Sequence, residues 1–143
     1  MEKYTFLDKL TYADIAFEAY GKTLEELFTN AGLAVTESMV ELESVQATQE
    51  HNFEVSAGST EDLLYNFLEH IVMIKDSETL FLIDYELEIH EEKGTYFLKA
   101  HCFGDTIDQE TQRLHNDVKA VTYHELKVEK VETLWKATVI IDV

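Results

Sequence analysis

The sequence predicts an α+β protein in which two helices pack on a largely antiparallel or mixed sheet. Three observations carry that class. Segments 23–43 and 59–76 repeat apolar residues at helical spacing behind a polar cap. The chain beyond residue 80 is mostly strand-like alternation broken by short turns. GKTLEELFTN at 21–30 is similar to GSTEDLLYN at 58–66 with one residue deleted, and each opens a helix after a strand and a glycine. Two helices with one apolar stripe each need a sheet face to cover, and the weak repeat reads either as a duplicated strand–helix unit or as two ordinary capped helices.

Tyr4 and Phe6 begin a short strand. Ala13, Ile15, Phe17 and Ala19 then alternate with Asp14, Ala16, Glu18 and Tyr20, a half-buried strand with two carboxylates on its second face. Gly21 ends it. Thr23 and Glu26 form a capping box, and the apolar positions from Leu24 to Leu42 predict a helix to about Glu43. Phe53, Val55 and Ala57 mark a strand from Gln49, stopped by Gly58. Ser59 or Thr60 caps a second helix with the stripe Leu63, Leu64, Phe67, Leu68, Ile71 and Val72, ending near Asp76. Leu80 to His90 alternates, with Phe81, Ile83, Tyr85, Leu87 and Ile89 on one face. Glu91 to Gly94 turns the chain, and Thr95 to Phe103 returns. Residues 104–117 are a polar connection. VKAVTYHELKV at 118–128 alternates without Gly or Pro and predicts one long strand in the middle of the sheet. A turn at 129–133 leads into a last strand from Leu134 to the end.

One domain is the natural count for 143 residues. Eleven Lys and Arg against 29 Asp and Glu give a net charge of −18. Such a charge repels phosphate backbones and anionic membranes, so direct nucleic-acid binding is not expected. It suits solubility, a partner with a basic surface, or bound cations. The single Cys102 excludes an internal disulfide. No apolar run exceeds four residues, against the roughly 20 that a membrane helix needs. The expectation is a cytoplasmic protein.

Few residues are placed for chemistry. Asp14 and Asp142 lie on strand faces near the two ends of the chain, and the α-carboxylate of Val143 adds a third acidic group. Converging, they would hold a hard divalent cation, which prefers oxygen ligands. Lying apart, they are solvated strand-end carboxylates. His101 and Cys102 are neighbours on a strand and point to opposite faces, so Cys102 reads as an inert core thiol beside Leu98 and Ala100. The six histidines show no HExxH or HxH spacing. Neither a phosphate loop nor a GxSxG elbow is present. His124, between Tyr123 and Glu125, reads as a proton-transfer group or as a histidine bonded within the sheet. Lys119 reads as a partner for a nearby carboxylate or as a solvated lysine.

Together these stretches resemble the archease family. VKAVTYHELKVE at 118–129 is similar to that family's signature. YADIAFEAYGKTLEELF at 12–28 is similar to its first strand and helix, and VIIDV is similar to its closing strand. Where many members carry His-Thr before Ala-Asp, this chain has Thr11 and Tyr12. The resemblance implies a duplicated strand–helix–strand–strand module. It implies a non-catalytic protein cofactor of an RtcB-type tRNA-splicing RNA ligase, one that promotes guanylylation and multiple turnover. It implies a divalent metal ion (Ca²⁺, Mg²⁺ or Mn²⁺) on Asp14, Asp142 and an oxygen of Val143, with Lys119, Tyr123 and His124 on the surface shown to the ligase. The rival readings are a metal-dependent hydrolase using Asp14 and Asp142, and a small-ligand sensor with an apolar pocket between sheet and helices.

Overall fold

The computed structural model describes residues 2–7 and 13–143. Among the described residues, eight strands and two helices follow in the order β1 (Tyr4–Phe6), β2 (Asp14–Gly21), α1 (Leu24–Met39), β3 (Gln49–Ala57), α2 (Thr60–Ser77), β4 (Leu80–Glu92), β5 (Thr95–Thr106), β6 (Ala120–Val121), β7 (Lys127–Val131) and β8 (Leu134–Asp142). The α+β class and the antiparallel pairing are as predicted, but the strands divide into two sheets. One runs β1-β2-β8-β6, with β7 also on β8, and the other runs β3-β5-β4. Helix α1 packs on β2 and β4, and α2 on β3 and β4. Phe17, Phe28, Phe67, Leu63 and Leu82 are fully buried between these layers.

Both helices start where the caps place them. The Thr23 side chain accepts from the Glu26 N–H at 3.1 Å, and the Glu26 carboxylate accepts from the Lys22 N–H at 3.0 Å. Ser59, rather than Thr60, caps α2, accepting from the Asp62 N–H at 3.1 Å. Helix α1 ends at Met39, four residues before the predicted stop. Val40 is extended and bridges Leu114, and the Glu41 N–H donates to the Arg113 carbonyl at 2.8 Å. The connection after β5 therefore takes over the backbone pairing, and Leu42–Ser44 form only a 3-10 turn.

The β4–β5 hairpin closes on Lys93 and Gly94, at φ 52° and 83°, the two-residue turn that suits twisted strands. The register of β4 shifts between Leu82 and Asp84. That bulge corrects the predicted alternation: Leu80, Phe81 and Leu82 are all buried, and alternation resumes only at Asp84. The Leu82 carbonyl beside the shift accepts from the Thr36 hydroxyl at 2.7 Å and the Tyr85 hydroxyl at 3.1 Å.

The single strand predicted over 118–128 is not formed, and its place is the sheet edge rather than the middle. Ala120 and Val121 pair with β8, the chain leaves at Thr122, turns through His124 and Glu125, and rejoins β8 as β7. The reason lies in where the backbone donors go. The Val121 N–H donates to the Glu69 carboxylate, and the Val128 N–H donates to the Glu61 carboxylate at 3.1 Å. Both acceptors stand on α2, so this helix replaces the neighbouring strand that a central position would need. Glu125 sits at φ 55°, a left-handed conformation no glycine announces. Upstream, the buried Lys75 ammonium binds the Asp117 carboxylate and the Val118 carbonyl, fixing the connection against the same helix. Burial opposes the charge of Lys75, but Asp117 and Asp76 outweigh it and raise its pKa.

Candidate functional site

The two ends of the described chain meet in one sheet. Strands β2 and β8 run antiparallel with Asp14 directly across from Asp142 and Ile15 across from Ile141. Opposed residues of an antiparallel pair project to the same face with Cβ atoms about 4.5–5.5 Å apart. The alternate residues Phe17, Ala19, Ala137 and Val139 are fully buried and belong to the core, so the core contacts of both strands lock the register. Asp142 is held from both sides. Its carbonyl accepts from the Lys119 N–H at 2.8 Å, and the following Val143 N–H donates to the Ala13 carbonyl at 2.8 Å. Ala120 of β6 is the other cross-strand neighbour of Asp142.

Like charges directly opposed across two strands are unfavourable unless something offsets them. The donors on offer are two half-buried carboxylates and the oxygen of Val143. That is a hard, all-oxygen set, matched to Ca²⁺, Mg²⁺ or Mn²⁺ and poorly matched to soft metals. Among the described residues no three His, Cys, Asp or Glu side chains cluster, so a cation here would draw further ligands from main-chain oxygens and water. Thr11 and Tyr12 lie outside the described residues.

Lys119, Tyr123 and His124 are all exposed. Lys119 joins this corner through its backbone, and among the described residues its ammonium forms no ion pair. Tyr123 and His124 occupy the turn between β6 and β7. Tyr123 is 57% exposed, with its inner face stacked on Tyr65 of α2 at a centroid distance of 4.0 Å. His124 is thus not bonded into a sheet interior.

The structure brings together one pair that local spacing does not reveal. The Nε2 atoms of His51 on β3 and His70 on α2 are 2.9 Å apart. The ring centroids lie 5.2 Å apart, so the rings face each other nitrogen to nitrogen, almost in line. That is the geometry of one shared N–H···N hydrogen bond rather than of two lone pairs aimed at a common cation. His70 stacks on Phe53 at 3.7 Å, and Glu78 lies 3.7 Å from the far nitrogen of His51. Burial, then His51, lowers the pKa of His70, with Glu78 acting the other way. Unfolded imidazoles titrate near pH ~6.5. The His70 contribution to stability is therefore complete above that pH and lost as pH falls through the lower folded value. His101 runs the opposite way. The Glu50 hydrogen bond raises its pKa against desolvation, which lowers it, and the charges of Glu50 and Glu86 add to the rise. Its contribution is present below pH ~6.5 and lost as pH rises through the folded value. Thermal unfolding between about pH 5 and 8 checks both. His70→Gln should flatten the acid limb, by less than about 1.4 kcal/mol per pH unit, and His101→Gln should flatten only the limb above neutrality.

Cys102 is fully buried, and burial with Asp84 pushes its thiol up to about 12, so it is no nucleophile. The space between sheets and helices is filled by core side chains. A cavity of about 720 Å³ lies instead on the outer face of the β3-β5-β4 sheet among Glu54, Glu86, Glu88, Lys99 and His101. Set on the outer face and edged by charged side chains, it does not match an apolar effector cleft between sheet and helices.

The chain's relatives agree with this architecture. The archease protein family model matches residues 4–143. The chain is 36% identical over 132 residues to protein archease of Pyrococcus abyssi, covering 92% of this chain and 93% of that one. It is 34% identical over 143 residues to protein archease of Methanosarcina mazei, covering 99% and 97%. A solution structure of Methanobacterium thermoautotrophicum protein 1598 superposes with a TM-score of 0.86 at 34% identity over the whole of both chains. A crystal structure of an archease from Thermotoga maritima, described as a possible chaperone, gives 0.62 at 22% identity over 93% of each and shares the fold. No helix among the described residues is long and apolar enough to cross a membrane.

Proposed function

The chain belongs to the archease family, and from that premise we propose that it is a non-catalytic protein cofactor of an RtcB-type RNA ligase. In this reading it promotes guanylylation of the ligase, so that the ligase turns over repeatedly in joining tRNA halves. The observation that carries the reading furthest is the register of β2 on β8, which sets Asp14 across from Asp142. Asp14, Asp142 and an oxygen of Val143 would hold a divalent cation, which when bound supplies positive charge at an otherwise acidic corner. The backbone of Asp142 is fixed by the Lys119 and Val143 bonds on either side of it, which holds the strand end of this pair in register. The adjoining 118–128 segment, pinned on α2, forms the neighbouring exposed surface.

The charge of −18 favours a protein partner over RNA itself. An RNA ligase needs a basic surface for its substrate, and an acidic protein of this size would dock on such a surface. Multiple-turnover ligation of tRNA halves by limiting ligase from the same organism, with and without this protein, tests the function. The expected result is many ligations per ligase molecule with the protein present and about one without it. Identical progress curves in both conditions would rule it out.

A further inference from the structure

Helix α2 presents Glu61, Tyr65 and Glu69 four residues apart, on one stripe of its surface. The outer two hold the backbone of Val128 and Val121, the two ends of the turn that interrupts 118–128. The middle one stacks under Tyr123 with an interplanar angle of 14°. Three successive rungs thus fix the crest of the turn on the helix. A ring that is 57% exposed is thereby held rigid, its outer face turned to solvent.

The edge of that ring is negative. Burial raises the pKa of the Tyr123 hydroxyl, and the Asp62 and Glu69 carboxylates act electrostatically on it in the same direction. Among the described residues no lysine or arginine forms an ion pair with Glu61, Asp62 or Glu69. A fixed aromatic face beside the exposed Asp62 carboxylate, with the partly buried Glu61 and Glu69 behind it, suits a cation that can stack and donate in the same plane. A guanidinium does both, whereas an ammonium offers only a point charge. Rings of this kind also stack nucleobases, but here the neighbouring carboxylates oppose a phosphate backbone.

We propose that Tyr123, seated on Tyr65 and edged by Asp62, is the docking point for an arginine side chain on the basic surface of the partner ligase. This rests on the function proposed above and names the contact through which the partner is held. It is separate from the Asp14–Asp142 pair in residues and in chemistry, so the two can be tested apart.

The test measures the dissociation constant between this protein and the ligase of the same organism by calorimetry, for wild type, Tyr123→Leu, Asp62→Asn and the control Glu88→Gln. Glu88 lies on the outer face of the other sheet. Tyr123→Leu keeps apolar bulk on Tyr65 and leaves the Val121 and Val128 bonds in place. Asp62→Asn lies on an exposed helix position and does not threaten folding. Tyr123→Leu and Asp62→Asn should each weaken binding about tenfold, with Glu88→Gln unchanged. Both substitutions within twofold of wild type would overturn the inference while leaving the stimulation assay, and the function, standing. Loss with Tyr123→Leu alone would mean an apolar contact rather than a cation, and loss with Asp62→Asn alone would remove the ring from the contact. Either overturns the inference, as does wild-type protein that neither binds nor stimulates the ligase, which removes the function with it. Binding of a single-stranded oligoribonucleotide to the isolated protein, abolished by Tyr123→Leu, would also overturn it.

Discussion

Replacing Asp14 and Asp142 together by Asn is expected to return the ligase to the rate it shows alone, while the protein remains folded. Asparagine keeps the shape of each side chain and removes the charge that a hard cation requires. The strand register does not depend on these two side chains, because Ile15, Phe17, Val139 and Ile141 of the same strands are buried in the core. The same pair of substitutions should abolish the response to cation. With Ca²⁺ or Mn²⁺ at 100 times its dissociation constant, a cation held by this pair would stabilise the wild type by about 2.7 kcal/mol, or roughly 5–10 °C in Tm. The double variant should show no such shift. Differential scanning calorimetry with and without cation separates the outcomes from the kinetic assay. A double variant that still stimulates ligation fully would remove the cation from the mechanism.

Gly104→Ala is expected to be the most damaging single methyl in the fold. Gly104 lies across from Leu82 at the bulge in β4. A Cβ there would sit 1.8 Å from the Phe81 carbonyl oxygen and 2.7 Å from its carbon. Backbone cannot step aside as a side chain can, and Phe81 and Leu82 are themselves anchored in the core. The expected loss is about 3 kcal/mol or more, at or above the upper end of ordinary overpacking, read as a fall in urea midpoint with an unchanged slope. Gly58→Ala is the matching control. Its Cβ would meet nothing within 4 Å, and it should be neutral or stabilising by about 0.4–1 kcal/mol, since it restricts only the unfolded chain. Equal losses at both positions would show that the bulge tolerates a side chain.

What the sequence disclosed, it disclosed through local physics. A cap at Thr23, another at Ser59 or Thr60, the stripes of α1 and α2, and the β4–β5 hairpin all follow from neighbours within a few residues. The facing of Asp14 and Asp142 does not, because periodicity places each on a strand face but carries nothing about which distant strand lies alongside. The 118–128 segment misled for a related reason. Its alternation is strand-like, but two of its backbone donors are claimed by Glu61 and Glu69, and their role cannot be read from 118–128 itself. The early end of α1 likewise depends on Leu114, far along the chain. The His51–His70 pair had a signal. His51 shares an inward face with Phe53 and Val55, and His70 follows Phe67 by three residues on the apolar stripe. A polar ring on each of two apolar faces needs a partner, and here each supplies the other.

Strand β8 lies between β2 on one side and β6 with β7 on the other. During synthesis the ribosome therefore delivers the centre of that sheet after all its flanks. Until Leu134–Asp142 has emerged, the nascent β2 carries an open row of amides on the side that β8 will occupy, a template for the wrong chain. Closing the sheet then joins residues separated by nearly the whole polypeptide, a step slowed by the entropy of such a long loop. Refolding of this sheet should accordingly lag behind the β4–β5 hairpin, whose halves are adjacent in the chain.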